Sequence, residues 1–222
     1  MYKRILTAVT VIVLLCLPTA WAADTSATAA ILMDGDTGEV LYEKNPDRQM
    51  LIASTTKLMT TLVVLERGGL GDVVTVTQQH IAEGSSMYLK PGDRVTVEEL
   101  LYGLLLCSGN DAALALADHC GGLERFVAEM NRKAAELGMT GTHFMNPHGL
   151  HNSEHYSTAW DIYRMAKEAM THAAFREIVS TARYVVPATN LSGQRVLLNT
   201  NALLTSAKFP GYTFSGTIGI KT

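Results

Sequence analysis

The chain has 222 residues, is 47% hydrophobic, and carries 18 Lys+Arg against 21 Asp+Glu for a formal net charge of −3. That length allows a sizeable core in one domain, or in one large domain with an inserted lobe. The basic residues form no cluster, which speaks against nucleic acid as a partner.

Residues 1–22 read as a secretory signal peptide. Lys3 and Arg4 form its basic start, 5–17 its apolar stretch, and Ala20-Trp21-Ala22 a small-x-small cleavage site. The apolar run is shorter than the roughly 20 residues a spanning helix needs. Bulky Leu14 and Leu15 precede Cys16, where lipid attachment would call for small residues. Without Lys3 and Arg4, 16 Lys+Arg face 21 Asp+Glu, a formal charge of −5. The remainder, 23–222, is read as one domain.

Residues 28–33 and 39–42 flank Asp34-Gly35-Asp36-Thr37-Gly38 and predict a β-hairpin. Asn45-Pro46-Asp47 marks a turn. A helix is predicted over 54–67, where Leu58, Met59, Leu62, Val63 and Leu65 are apolar and no Pro or Gly intervenes before Gly68. Residues 73–77 read as a strand and Lys90-Pro91-Gly92-Asp93 as a turn. Residues 95–97 lead into an apolar helix over 98–106, broken by Ser108-Gly109-Asn110. Further helices are predicted over 112–119, 123–137 and 158–170, the last capped by Ser157. Residues 183–186 and 195–198 read as strands around Ser192-Gly193, and 218–222 begins a last strand. Strands at both ends of a helical middle predict an α/β (α+β) domain with an inserted helical region.

An exported chain invites a disulfide between Cys107 and Cys120. A helix between them would hold their Cα atoms well beyond the roughly 7 Å that a bridge spans. Both are therefore read as free, buried thiols. Cys107 adjoins Ser108, but no histidine pattern supports a catalytic thiol there.

Ser54 and Lys57 are three apart at the start of the first predicted helix, so their side chains share a face. A serine hydroxyl needs a base beside it to be a nucleophile at neutral pH. A lysine serves only when neutral, so its ordinary pKa of about 10.4 must be lowered by burial or by a nearby cation. Lys221 is a candidate for that cation. Alone, Ser54-x-x-Lys57 equally describes an N-capped surface helix, and Ser108-Gly109-Asn110 an ordinary turn. The functional reading of the second motif has Ser108 relaying a proton and Asn110 holding Lys57 or a substrate amide. A third element, Lys221-Thr222, starts K-T-G and ends the chain before its glycine.

His151-Asn152-Ser153-Glu154-His155 matches the zinc pattern H-x-x-E-H, with His148 nearby. That pattern works on a helix, where both histidines share a face. Pro147, Gly149 and the poor helix formers Asn152 and Ser153 predict a polar loop at a cleft rim instead.

The ordered set S-x-x-K, S-x-N and K-T resembles that of penicillin-binding proteins and class A β-lactamases. With Ala53-Ser54-Thr55-Thr56-Lys57-Leu58-Met59-Thr60, Ser85-Ser86-Met87, Leu89-Lys90-Pro91-Gly92, Ser108-Gly109-Asn110-Asp111-Ala112, Asn146-Pro147-His148-Gly149-Leu150, Tyr156-Ser157-Thr158-Ala159 and Gly219-Ile220-Lys221-Thr222, the chain resembles the serine-type D-alanyl-D-alanine carboxypeptidases, low-molecular-weight penicillin-binding proteins. The similarity covers essentially all of 23–222. It implies a transpeptidase-like fold, an antiparallel sheet flanked by helices, exported to the periplasm or the outer face of the cell membrane. It implies that Ser54 forms an acyl-enzyme, Lys57 accepts its proton, and Ser108 passes a proton to the leaving D-alanine. Asn110 would order the site, and Lys221 and Thr222 would bind the terminal carboxylate of a peptidoglycan stem peptide ending in D-Ala-D-Ala. β-Lactams would acylate Ser54, and no metal or organic cofactor is implied. Family members continue past K-T-G with a strand that donates an oxyanion-hole N–H, further sheet strands, and often a membrane-associating C-terminal segment. Residues 23–222 alone are therefore expected to be inactive and marginally stable.

Three rival functions stay open on the residues. A class A β-lactamase would need a deacylating Glu, for which Glu154 is the only acid in the 147–157 loop, and usually carries Asp where Gly109 stands. A D,D-endopeptidase shares all three motifs. A non-catalytic peptidoglycan-binding module would be expected to lack Ser54 or Lys57.

Overall fold

The computed structural model describes residues 25–204 and 216–221. The expected signal peptide and Thr222 lie outside the described residues.

The predicted N-terminal hairpin forms from β1 (Ala30–Met33) and β2 (Val40–Lys44), antiparallel, with a register shift between Leu32 and Met33. Asp34 shapes the connection: its Oδ1 accepts from the backbone N–H of Asp36 and Thr37 and from the Thr37 hydroxyl. A two-residue strand, β3 (Met50–Leu51), follows. The chain then makes a 3₁₀ turn, Ala53–Thr56, that runs straight into α1 (Lys57–Arg67). Ser54 is thus on the 3₁₀ turn rather than inside an α-helix, because Ala53 takes a left-handed φ of 44° that an α-helix cannot continue from. Every residue of α1 from Lys57 to Val64 is buried. The helix stops at Gly68, whose φ of 79° suits glycine.

β4 (Val73–Thr75) pairs antiparallel with β5 (Arg94–Thr96). α2 (Val97–Leu106) starts on a capping box: Thr96 Oγ1 accepts from Glu99 N, and Glu99 Oε2 accepts from Thr96 N. α3 (Asn110–His119) presents Ala112, Ala113, Ala115 and Ala117 to the core, small residues that let neighbouring helices approach closely. α4 (Leu123–Glu136) buries Phe126, Met130 and Ala134, an i, i+4, i+8 stripe. β6 (Tyr156–Ser157) pairs with β3 across about a hundred residues of chain. α5 (Ala159–Ala169) is capped by Thr158, whose Oγ1 accepts from Asp161 N at 3.1 Å, and not by Ser157 as expected. Ser157 is committed to pairing with Met50 in β6 and cannot also be the cap.

A helix absent from the sequence expectation, α6 (Ala173–Ser180), buries Phe175, Ile178 and Val179. β7 (Arg183–Val186) and β8 (Arg195–Leu198) form the last hairpin. All pairings are antiparallel, and among the described residues they form four two-stranded ladders. The strand expected over 218–222 is not formed in its described part: Gly219 and Ile220 take φ of 101° and 89°, incompatible with extended chain. Instead Gly219 lies against α6 so closely that a Cβ there would sit 2.1 Å from the Val179 carbonyl oxygen.

One core joins these parts. α1 packs against α2, α3, α4, α5 and α6 and supplies Leu58, Met59 and Leu62 to the same core as Leu100, Leu101 and Leu104 of α2. Fully burying a leucine is worth roughly 1.5–3 kcal/mol. The helix that starts with Lys57 is therefore firmly held in the core. No helix among the described residues is long and apolar enough to cross a membrane. Cys107 and Cys120 are free thiols, half-buried and buried.

Candidate active site

On a 3₁₀ turn, residues i and i+3 eclipse one another. Ser54 and Lys57 obey that geometry, with Lys57 Nζ 3.3 Å from Ser54 Oγ. Lys57 is completely buried, and its Nζ has two further partners: Asn110 Oδ1 at 2.8 Å and the His148 carbonyl at 2.5 Å. A neutral amine has two N–H bonds and one lone pair. With the N–H groups on these two oxygens, the lone pair is left for Ser54.

The second motif arrives through a strained turn. Ser108 has φ of 62°, a conformation costing about 1–3 kcal/mol for a non-glycine residue. The turn is held by Gly109 N–H to the Gly103 carbonyl and Asn110 N–H to the Ser85 carbonyl. It aims Ser108 Oγ at Ser54 Oγ, 2.9 Å away. Asn110 donates its Nδ2 to the Glu83 carbonyl at 2.7 Å. Since that carbonyl only accepts, the amide orientation is fixed with Oδ1 facing Lys57. Of the two contacts expected of Asn110, the one to Lys57 is thus present. Asp111, to which the sequence assigned no role, is buried and accepts from Ser86 Oγ, Met87 N and Leu89 N, tying down the loop that carries Glu83 and Ser85.

The third wall is the 146–150 loop. Asn146 Oδ1 accepts from Gly149 N at 2.6 Å and His148 N at 3.3 Å, and its Nδ2 donates to the Leu150 carbonyl. Thr60, one turn along α1 from Lys57, donates to the Pro147 carbonyl at 2.6 Å. These bonds set the His148 carbonyl on Lys57. Sequence reasoning missed this contact, because a backbone carbonyl leaves no residue-type signal. Glycine is required next to it: a Cβ on Gly149 would lie 1.9 Å from the Ala53 carbonyl oxygen.

The H-x-x-E-H residues serve the same wall. They lie on a loop and turn just before β6, with His151 and Glu154 exposed. His155 is buried and both its ring nitrogens are engaged. Nδ1 accepts from Met145 N–H, so Nε2 carries the proton and donates to Thr56 Oγ1 at 2.7 Å. Thr56 in turn donates to the Ala53 carbonyl. His155 is therefore a strut under the Ser54 turn.

Burial, and secondarily the Lys221 charge, lower the Lys57 pKa from 10.5 to about 7. Of the two causes expected, burial and a nearby cation, both act and burial is the larger, with Lys221 as the cation. Lys221 itself is pushed below its ordinary value by burial. Burial also takes His148 and His155 down to about 4, keeping both neutral beside Lys57. The Cys107 thiol goes the other way, up to about 11, from burial and then the Asp111 charge. It donates to the Gly103 carbonyl at 3.1 Å and is no nucleophile at neutral pH. Ser54, Lys57, Ser108 and Asn110 thus converge, Lys221 acts on them electrostatically, and Thr222 lies outside the described residues.

A model of the peptidase S11 family, D-alanyl-D-alanine carboxypeptidase, matches residues 18–214. The chain belongs to this family. It is 39% identical over 203 residues to the D-alanyl-D-alanine carboxypeptidase DacF of Bacillus subtilis, a match covering 88% of this chain and 50% of that protein. It is 42% identical over 175 residues to DacC of Escherichia coli, covering 70% of this chain and 44% of that protein. The chain thus spans about half the length of these two S11 relatives. Among solved structures, a mutant of the Streptomyces K15 DD-transpeptidase superposes with a TM-score of 0.82 at 37% identity, covering 90% of this chain and 81% of that one. A D-alanyl-D-alanine carboxypeptidase from Mycobacterium tuberculosis gives 0.78 at 37% identity, covering 85% and 71%. The S11 fold, an α/β penicillin-binding and transpeptidase-like architecture of helices and small antiparallel sheets, is that of this chain.

Proposed function

We propose that the protein is a serine-type D-alanyl-D-alanine carboxypeptidase, acting through an acyl-enzyme on Ser54. The observation that carries this reading is the buried Lys57 amine, bonded to Asn110 and the His148 carbonyl, 3.3 Å from Ser54 Oγ and with its pKa lowered to about 7 by burial. Neutral Lys57 takes the Ser54 proton as Oγ attacks the carbonyl of the penultimate D-alanine. The proton then returns through Ser108 to the amine of the departing terminal D-alanine, and the C–N bond breaks. Water completes the cycle by hydrolysing the ester, with Lys57 again accepting a proton. Lys221, with Thr222, binds the substrate carboxylate, and its charge helps keep Lys57 neutral. The strained amide of a β-lactam enters by the same attack and stays as a Ser54 ester. Residues 1–22 export the protein, 23–222 form the catalytic domain, and the substrate is peptidoglycan outside the cytoplasmic membrane. Peripheral membrane association would come from sequence beyond this domain.

The test is labelling of the full-length protein by a fluorescent penicillin, together with D-alanine release from a pentapeptide ending in D-Ala-D-Ala. Ser54→Ala should abolish both. An adduct mapped by mass spectrometry to Ser108 or Cys107 would sink the assignment of roles. Cleavage of cross-links without release of terminal D-alanine would make the protein an endopeptidase instead.

A further inference from the structure

At the far end of α1, three side chains from three elements converge. Glu66 is the penultimate residue of α1, Glu168 the penultimate residue of α5, and His172 the residue that caps α6. One ligand atom from each lies within 4.8 Å of the other two. Glu168 and His172 are half-buried, and among the described residues their side chains have no hydrogen bond or ion pair. Glu66 alone has a partner, the Lys133 ammonium of α4. Two carboxylates at this separation repel, and one lysine offsets only part of that charge. We propose that Glu66, Glu168 and His172 form a divalent-cation site that clips the C-terminal end of α1 to the α5–α6 corner.

The donor set selects the metal. One imidazole nitrogen with two carboxylate oxygens suits zinc, which takes N and O ligands at about 2.0–2.2 Å and leaves a fourth position for water. An all-oxygen cage, which calcium or magnesium prefers, is not offered here. The ligand atoms must draw in by a rotamer adjustment, which partial exposure permits. Zinc must also take Glu66 from Lys133, so lysine and metal compete for one carboxylate. The site is nine residues along α1 from Lys57, roughly 14 Å at 1.5 Å per residue. It therefore acts on stability and leaves the Ser54 chemistry alone.

The experiment titrates zinc sulfate into the metal-free full-length protein, by calorimetry and by thermal melt, with penicillin labelling alongside. One equivalent should bind and raise the Tm, with an unchanged labelling rate. Glu168→Gln and His172→Ala should each weaken zinc binding about tenfold or more, since losing even an outer-shell partner costs 10–100-fold. Their metal-free melts separate loss of the site from loss of the fold; if His172→Ala melts early without metal, Glu168→Gln carries the test. Lys133→Met should tighten zinc binding by removing the competitor. Wild-type protein that binds no zinc, or a Glu168→Gln/His172→Ala double variant that binds it as tightly, overturns the site. Unchanged zinc affinity in Lys133→Met removes Glu66 from it.

Discussion

Acidification should shut off acylation of Ser54 with the titration of one buried amine. The Lys57 pKa is lowered from 10.5 to about 7, first by burial and then by the Lys221 charge. At pH 7 about half of the molecules carry the neutral base, at pH 6 about one in ten, and at pH 5 about one in a hundred. A lysine at its ordinary pKa would be neutral in only about one molecule in three thousand at pH 7, so the site raises the population of working base by roughly a thousandfold. The pseudo-first-order rate of labelling by a fluorescent penicillin, measured from pH 3.5 to 8.5, should fall tenfold per unit below pH 7 and level off above it. Lys57→Arg should remove the rate at every pH in that range, because guanidinium does not deprotonate there. A flat profile between pH 5 and 8 would refute the neutral-lysine base. A break near pH 4 instead would point to His148 or His155, whose values lie there.

The same shift makes a stability prediction. Between pH 7 and 10.5 the unfolded chain holds a proton at Lys57 that the folded chain has released, so the folded state gains on its Lys57→Met variant as pH rises. From pH 7 to 9 the gain should be about 2 kcal/mol, read as the difference in urea-unfolding free energies; a constant difference would contradict the burial argument. Gly149→Ala should cost at least about 2 kcal/mol and suppress penicillin labelling, since its Cβ would strike the Ala53 carbonyl and displace His148 from Lys57. Wild-type labelling in that variant would show that the loop does not set the base. Cys107→Ala should retain labelling within a factor of about three, consistent with a thiol pushed up to about 11; loss of labelling without loss of fold would give the thiol a role.

The sequence was most legible where local chemistry decides structure. Thr96 and Glu99 announce the start of α2 by forming both bonds of a capping box. The Phe126, Met130 and Ala134 spacing announces the buried face of α4. It was least legible where distant chain decides. The two-residue ladder between Met50–Leu51 and Tyr156–Ser157 has no local signal, yet it takes Ser157 out of contention as a helix cap. Residues 218–220 alternate apolar and small like a strand, but the path follows Gly219 and Ile220 into positive φ against α6. α6 escaped notice because it is only eight residues long and its β-branched Ile178 and Val179 carry strand propensity, which burial against the core overrides.

The site divides along the same line. Ser54 and Lys57 were readable together because three-residue spacing has one meaning on a helical turn, and 3₁₀ geometry only tightens it. What makes the pair reactive was not readable. A lysine beside a serine in water would be almost wholly protonated; burial converts it to a base, and the aim of its lone pair at Ser54 depends on where its N–H bonds go. One carbonyl, at His148, and one amide oxygen, at Asn110, consume the two N–H bonds of the neutral form. Both are placed by groups far away in sequence: the Glu83 carbonyl that orients Asn110, and Asn146 with Thr60 that hold the His148 loop. Reactivity at Ser54 is thus a property of three converging loops around a buried helix start, each fixed by backbone hydrogen bonds that no motif records. Substitutions at Asn146 or Thr60 should accordingly shift the pH profile of labelling upward, because loosening the His148 loop admits water to the Lys57 amine and relieves the burial that lowers its pKa, while leaving Ser54 and Lys57 themselves untouched.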